Sequence, residues 1–473
     1  MHEELGDAGS PVAGPRRTAC PVVLNKTPSV PGLPYFGSAF RMAKSPAEFF
    51  VHCYRTYGPV CRLRVLGHEY VLLSGVEAAN FMGTRAGKDC LRSKEFWDGL
   101  VREYGARRML TGEDGDSHKE LRDIMRNGYS RESIKGRYNE LVAITDGSLM
   151  RDWPVGKNVR VVHAMQYMVV DQLGTILTGA APLEYVKDIR TAIMYILNVL
   201  VTRQRPAILL KRPEYRKAKR RVMELGEKMI RDATARYAST RPEDRNLVDD
   251  IMAAHIETPE KMPASDLIVS LTGPYVAGLD TVANTTSAVL YCVLKHPDVK
   301  ARILDEVDAL FEAGDLDEEG LLKKLPALNG AIMETMRLYP IAVAQMRAAS
   351  KDFVFEGHQI HEGEMIYVGT SVPHFMEEYW PRAGTFDIDR YRKPRAEHLQ
   401  PGVYSPYGRG PHTCLGKSLA EVQMALSMAR LFHKLDLELE SPDYVLQTKT
   451  APTPGPSMGF KVRVKGYRHQ AAR

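Results

Sequence analysis

The stretch YSPYGRGPHTCLG, residues 404–416, sets three glycines and two prolines around one cysteine. It runs straight into a segment whose apolar positions, Leu419, Val422, Leu426 and Ala429, recur at helical spacing. Cys414 therefore stands just ahead of a helix, where unpaired backbone N–H groups and the positive end of the helix dipole favour a thiolate over a thiol. Gly408, Gly410 and Gly416 remove side chains beside it, which predicts room for a flat, bulky partner close to the sulfur. Four roles fit these residues on their own. As a zinc ligand Cys414 would pair with His412, which is only half a site. As a nucleophile it would need an orienting base. As the axial ligand of haem iron it needs a close-approach loop, a helix start and basic groups for the porphyrin carboxylates. As a buried structural cysteine beside a turn it needs none of these.

The surrounding chain limits the setting. At 473 residues with 44% hydrophobic content it can bury a large core. The six cysteines, Cys20, Cys53, Cys61, Cys90, Cys292 and Cys414, are scattered without a CxxC pair, which argues against a disulfide framework or structural zinc site and for a reducing, cytoplasmic compartment. A net charge of +6 is mild for a nucleic-acid binder. There is no apolar run of about 18 residues to span a bilayer, and the N-terminus lacks the order of a signal peptide. A soluble protein is expected.

Residues 1–30, rich in Pro, Gly and Ser, read as a mobile lead-in, and residues 31–473 as one domain. Apolar spacings of three and four predict helices over 117–128, 182–202, 214–238, 265–295, 298–311 and 326–338. Residues 60–75 read as two short β-runs around Gly67, and residues 353–369 as another pair. The fold class is mostly α with a small β region, α+β.

Three further motifs stand in order before the cysteine loop. VAGLDTVANT, residues 276–285, lies inside the longest apolar helix and interrupts it with Gly278 and an acid followed by an alcohol, Asp280 and Thr281. AIMETMRLYP places Glu334 and Arg337 three apart on one helix face, where they can ion-pair, and TFDIDRY follows with Arg390. Upstream, DSHKELRDIMR sets His118 and Arg122 one turn apart. Each pattern alone is ordinary: a tolerated helix glycine, a surface salt bridge, a solvated basic face.

Together, and in this order, they resemble the cytochrome P-450 family of haem-thiolate monooxygenases, over roughly residues 31–465. The resemblance implies haem b held between the long distal helix and the helix after the cysteine loop, with Cys414 as iron ligand. It implies that Tyr407, His412 and Gly416 complete the ligand loop, with Tyr407 where Phe is usual and His412 where Arg is commoner. His118, Arg122 and Arg347 would face the haem propionates, and Ala277 and Gly278 would cross the haem with room for dioxygen as co-substrate. Thr281 would help the helix open locally by bonding its backbone, and Asp280 and Thr281 would relay protons. Glu334, Arg337 and Arg390 would lock the region beneath the haem.

The implied activity is insertion of one oxygen atom from O2 into a small lipophilic substrate by hydroxylation or epoxidation. Peroxide-driven or coupling chemistry, or ligand or gas binding without turnover, stand as alternatives. The acid and alcohol pair favours the first, because a sensor needs no proton relay. About sixty residues follow Cys414, too few for a flavin or nicotinamide domain, so electrons would come from a separate ferredoxin or flavodoxin-like donor. Lys119, Arg126, Arg409 and Lys417 offer it a basic patch. Phe96, Trp97, Ile193, Leu197, Val276, Val343 and Met458 fall in the family's substrate-lining segments. Residues 205–221 set Ile208, Leu209 and Leu210 before seven basic residues, which suits peripheral contact with an anionic membrane.

Overall fold

The computed structural model describes residues 24–314, 317–451 and 453–469. The expected lead-in lies outside the described residues up to residue 23, and so does Cys20. Residues 25–30 run along a sheet: Asn25 N donates to Gly357 O, Val30 N donates to Arg62 O, and Val30 is buried. Residues 24–30, expected in the lead-in, thus belong to the described fold.

The helix Ala264–Lys295 is buried on nearly every face, as its apolar content all round its circumference requires. It forms the central axis of the helical body. Its largest neighbour is Val161–Leu173, a helix whose own buried run (Val161, Val162, Ala164, Met165, Met168, Val169) packs along it. The helices Val186–Ile196 and Pro213–Arg236 lie over one side of the axis, and Pro326–Leu338 and Lys417–Lys434 over another. The predicted helices recur with shifted ends: Gly115–Met125, Pro213–Arg236, Ala264–Lys295, Pro297–Ala313 and Pro326–Leu338. The expected helix over 182–202 is broken into a 3-10 turn, an α-helix and a π turn at Leu197–Val201.

The two β-runs around Gly67 form an antiparallel hairpin, Val60–Val65 with His68–Ser74, turning through left-handed Leu66 and Gly67. The second pair departs from expectation. Phe353–Phe355 and His358–Ile360 pair with each other, but Met365–Gly369 leaves them and adds in parallel to His68–Ser74, with Val71 opposite Ile366. Gln345–Ala349 and Leu91–Arg92 complete this five-stranded sheet. Near the C-terminus, Lys461–Tyr467 pairs with Leu435–Leu439 and Asn158–Arg160, and a two-residue hairpin joins Thr448–Lys449 to Gly455–Pro456. These short strands carry no alternating pattern long enough to read in sequence.

Candidate functional site

Within the cysteine loop, Cys414 N donates to Tyr407 O at 2.9 Å, and Thr413 binds Gly410 O through both its N–H and its hydroxyl. Gly408 and Gly410 adopt left-handed backbone with φ of 72° and 77°. A side chain at either would run into the Gln345 amide or the Met82 carbonyl, so these glycines fit the loop against the protein rather than clearing space for a partner. Gly416 is the glycine with room, its absent Cβ 3.6 Å from Tyr129.

Of the five described cysteines, Cys53, Cys61, Cys90 and Cys292 are buried and Cys414 is exposed. Desolvation by the protein around it pushes the thiol up despite the Gly416 N–H, Arg122 and Lys417, which outweighs the thiolate preference expected of a helix start. The Tyr407 hydroxyl is buried without a hydrogen-bond partner among the described residues, its pKa raised by that burial, and Lys417 Nζ sits 5.6 Å over the ring.

Beside the loop lies a cavity of about 380 Å³, whose lining includes His118, Lys119, Arg122, Arg347 and His412. His118 is buried, and desolvation with the neighbouring His412 and Arg122 lowers it to about 4, so it is neutral at pH 7. Arg347 is lowered to about 10 by burial; its guanidinium is held by Met346 O at 2.7 Å and Gln345 Oε1 at 2.9 Å. Lys119, Arg122 and Arg347, set against Asp89 and Asp114 in the same lining, leave positive charge to spare, which suits a ligand carrying carboxylates.

His412 departs from expectation. Its Nε2 lies 2.9 Å from Asp114 Oδ1 and 3.3 Å from Ser93 Oγ, which leaves Nδ1 for any ligand. Asp114 stands at the start of Gly115–Met125 but does not cap it; its other oxygen accepts from Ser93 N at 2.8 Å. Sequence reading missed Asp114, since nothing in its neighbourhood marks His412 and Ser93 as its partners.

Below the loop, Arg337 donates two bonds to Glu334, at 2.8 and 2.7 Å, and Arg390 Nε donates to Glu334 Oε1 at 3.1 Å, all three side chains fully buried. Tyr391 OH donates to Glu334 Oε2 at 2.8 Å, Arg390 reaches Glu397 at 3.0 Å, and Arg337 donates to His374 O at 2.6 Å. His374 Nε2 in turn accepts from Ser405 N at 3.0 Å, which ties the network to the first turn of the cysteine loop. Burial and then Arg337 lower His374 to about 3. Tyr391, Glu397 and His374 were not foreseen, since no spacing marks them.

Along the central helix, Ala277 and Thr281 are exposed while their neighbours Leu279, Asp280, Val282 and Ala283 are buried. Two open residues one turn apart in a buried helix mark an internal space. Thr281 Oγ1 donates to Ala277 O at 2.7 Å, one turn back, and the helix stays α-helical there without the local opening expected. Gly278 does not interrupt the helix, and the space it leaves is not free: Leu173 Cδ1 lies 2.6 Å from where its Cβ would be. The glycine lets Val161–Leu173 approach. Asp280 points to the same neighbour and accepts from Gln166 Nε2 at 2.7 Å, with Lys449 Nζ 3.9 Å from its other oxygen.

The substrate-lining candidates divide. Trp97, Leu197, Val276 and Met458 are partly open, whereas Phe96 and Val343 are buried together in one apolar cluster and Ile193 in another. In residues 205–221, Ile208 is 60% exposed, but Lys219 pairs with Glu103 and Arg221 with Glu224 on its own helix. Of the basic patch, Lys119, Arg126 and Lys417 are exposed, and Arg409 is held by Asn80. Among the described residues no helix is long and apolar enough to cross a membrane.

Comparison with known proteins agrees with this geometry. The sequence profile described as Cytochrome P450 matches residues 28–460. The chain is 26% identical to "Putative cytochrome P450 139" of Mycobacterium tuberculosis over 404 residues, covering 83% of this chain and 91% of that protein. It is 31% identical to "Sterol 14alpha-demethylase" of Mycolicibacterium vanbaalenii over 219 residues, 41% of this chain and 48% of the relative. The solved structure of retinoic acid-bound cyanobacterial CYP120A1 superposes with a TM-score of 0.79 at 22% identity, covering 94% of this chain and all of that one.

Proposed function

The chain belongs to the cytochrome P450 family of haem-thiolate monooxygenases, whose cofactor is haem b and whose co-substrate is O2, and on that premise we propose that it inserts one oxygen atom into a small lipophilic substrate. The observation that carries this reading is that Cys414, in a loop otherwise closed by its own hydrogen bonds, is exposed, and that Ala277 and Thr281 are exposed one turn apart on an otherwise buried helix. These residues fit the cofactor: the cysteine is exposed, and Arg122 and Arg347 line the cavity beside its loop.

In this reading Cys414 would hold the iron, and Arg122, Arg347 and a ring N–H of His118 would hold the propionates; His412, whose Nε2 is engaged by Asp114, would add a donor through Nδ1 only when its ring is protonated. When bound, the haem supplies the centre at which O2 is activated. Thr281, anchored on Ala277 O, presents its hydroxyl to the open space and passes on a proton. Asp280, held away from that space by Gln166, takes protons up and returns them by turning its carboxyl. Trp97, Leu197, Val276 and Met458 offer the substrate apolar walls.

Electrons come from a separate acidic donor, a ferredoxin or flavodoxin-like protein, docking on Lys119, Arg126 and Lys417. Exposed Ile208 with Lys211, Arg212, Arg216 and Lys217 supports peripheral contact with an anionic lipid surface as the route of a lipophilic substrate. Co-flotation with anionic vesicles checks that contact, and its absence removes it. Four buried free thiols support a cytoplasmic setting.

The decisive experiment is the carbon monoxide difference spectrum of the reduced, haem-loaded protein. The long-wavelength band of thiolate ligation is expected, and Cys414→His should abolish it. A folded, loaded protein without that band would refute the assignment. A ligand screen for the spin-state shift then identifies the substrate class.

A further inference from the structure

Asp280 is 3% exposed, and a carboxylate so placed costs several kcal/mol to keep charged unless partners compensate it. Two groups meet it. Gln166, itself 1% exposed, donates Nε2 to Oδ1, and its own Oε1 finds no hydrogen-bond partner among the described residues. This amide orients the acid but brings no charge. Lys449 brings the charge: its Nζ lies 3.9 Å from Oδ2, and its side chain is 23% exposed. The lysine therefore links a buried acid to the solvent side.

Lys449 belongs to the C-terminal hairpin, where its cross-strand partner is Gly455. Gly455 also meets the central helix: a Cβ there would lie 2.5 Å from Asn284 Cγ, and Asn284 Nδ2 donates to Pro454 O at 3.3 Å. Asp280 and Asn284 are four apart, a rise of about 6 Å, close to the roughly 4.8 Å between paired strands. One pair of strand partners thus straddles one turn of the helix, immediately beside Thr281. Ser457 N donates to Gln447 O at 2.7 Å, which joins the turn bearing Met458 to the same hairpin.

We propose that Lys449 is a positioning residue for the Asp280 carboxylate, and that through it the hairpin leading to the substrate-side turn at Met458 is coupled to the group that hands on protons. The inference rests on the proton-carrying role given to Asp280 above. A ligand that presses on the turn at Met458 moves Lys449 with the hairpin, and Oδ2 is then released to turn toward Thr281 while Gln166 keeps hold of Oδ1. A Leu or Met at 449 would leave the acid with a neutral partner alone.

The tether is tested first without turnover, by hydrogen–deuterium exchange of residues 446–459 in haem-loaded, ligand-free protein. Lys449→Met and Asp280→Asn should each speed exchange about 5-fold, the double variant should add little to either, and Lys449→Arg should restore protection. Singles that exchange like the parent protein, or effects that simply multiply in the double variant, overturn the tether. An arginine that fails to rescue overturns the role of charge in it.

A second measurement follows re-oxidation in air of the chemically reduced protein in H2O and D2O. Lys449→Met and Asp280→Asn should each change the rate about 3-fold and alter its solvent isotope effect. If Asp280→Asn leaves the isotope effect unchanged, the proton role assigned to Asp280 fails, and the exchange measurement still judges the tether. If Asp280→Asn alters it and Lys449→Met does not, the coupling to Lys449 is refuted alone.

Discussion

The two sides of the cysteine loop's neighbourhood are built on opposite plans. Beneath it, Glu334, Arg337 and Arg390 are fully buried, and each Glu334 oxygen accepts two or more hydrogen bonds. Trp380 backs the network, lying 5.2 Å under the Arg337 guanidinium. On the other side the central helix offers Thr281 bonded to its own backbone and Asp280 with one short bond and one long ion pair. The first region has no freedom to lose without leaving a charge unpaired. The second has polar groups whose partners can be exchanged at little cost. A site that must hold an iron ligand still while protons and substrates come and go has use for both.

Breaking the rigid side should have the largest effect. Arg337→Ala leaves Glu334 buried with one cation fewer and should cost about 3–5 kcal/mol, seen as a lowered urea midpoint and poor haem retention. A variant as stable as the parent would show that the network is not what holds the region. Next comes pH. His374 is lowered to about 3 in the native state against about 6.5 when unfolded. The unfolded chain therefore binds the extra proton between those values, and stability is present above about pH 6.5 and lost as pH falls. The loss approaches about 1.4 kcal/mol per unit below that point. His374→Gln, compared with the parent by urea titration from pH 7 to 5, should flatten this slope.

On the adaptable side, Thr281→Ala should alter stability by less than about 1 kcal/mol. It should keep the carbon monoxide band and divert reducing equivalents to peroxide; unchanged coupling would refute the relay. The smallest effect is expected at the surface. Lys417→Glu should slow reduction by an acidic donor about 2- to 5-fold at low salt and hardly at all at high salt. Insensitivity to salt in the parent protein would remove the basic patch from electron transfer.

Legibility in the sequence followed the same division. The helices were readable because a buried axis needs apolar residues at a repeating interval over many turns, as in Ala264–Lys295. Glu334 and Arg337 were readable because helical geometry forces neighbours three apart onto one face. Asp114, Gln166 and Lys449 were not, since each acts through a partner more than a hundred residues away, and only the folded chain brings those partners into range. Gly278 and the paired Gly408 and Gly410 show the converse. Their spacing was visible, but whether the missing side chain faces a cofactor or the protein depends on what packs there, and Leu173, Gln345 and Met82 decide it. The strand Met365–Gly369 was misassigned to a local hairpin for a similar reason: its true neighbour lies at residues 71–74.

That parallel pairing has a consequence during synthesis. Val71 meets Ile366, 295 positions later in the chain (366 minus 71). At about 5–20 residues per second on a ribosome, the His68–Ser74 edge waits roughly 15 to 60 s for the strand that covers it. Throughout that interval the nascent chain carries a finished hairpin with one side open to any passing strand. Glu334, Arg337 and Arg390 emerge in the same late stretch, so the anchoring half of the molecule is assembled last and almost at once. Holdase chaperones should therefore bind stalled chains ending before residue 365 and release those that extend beyond residue 434, where the helix after the cysteine loop is complete.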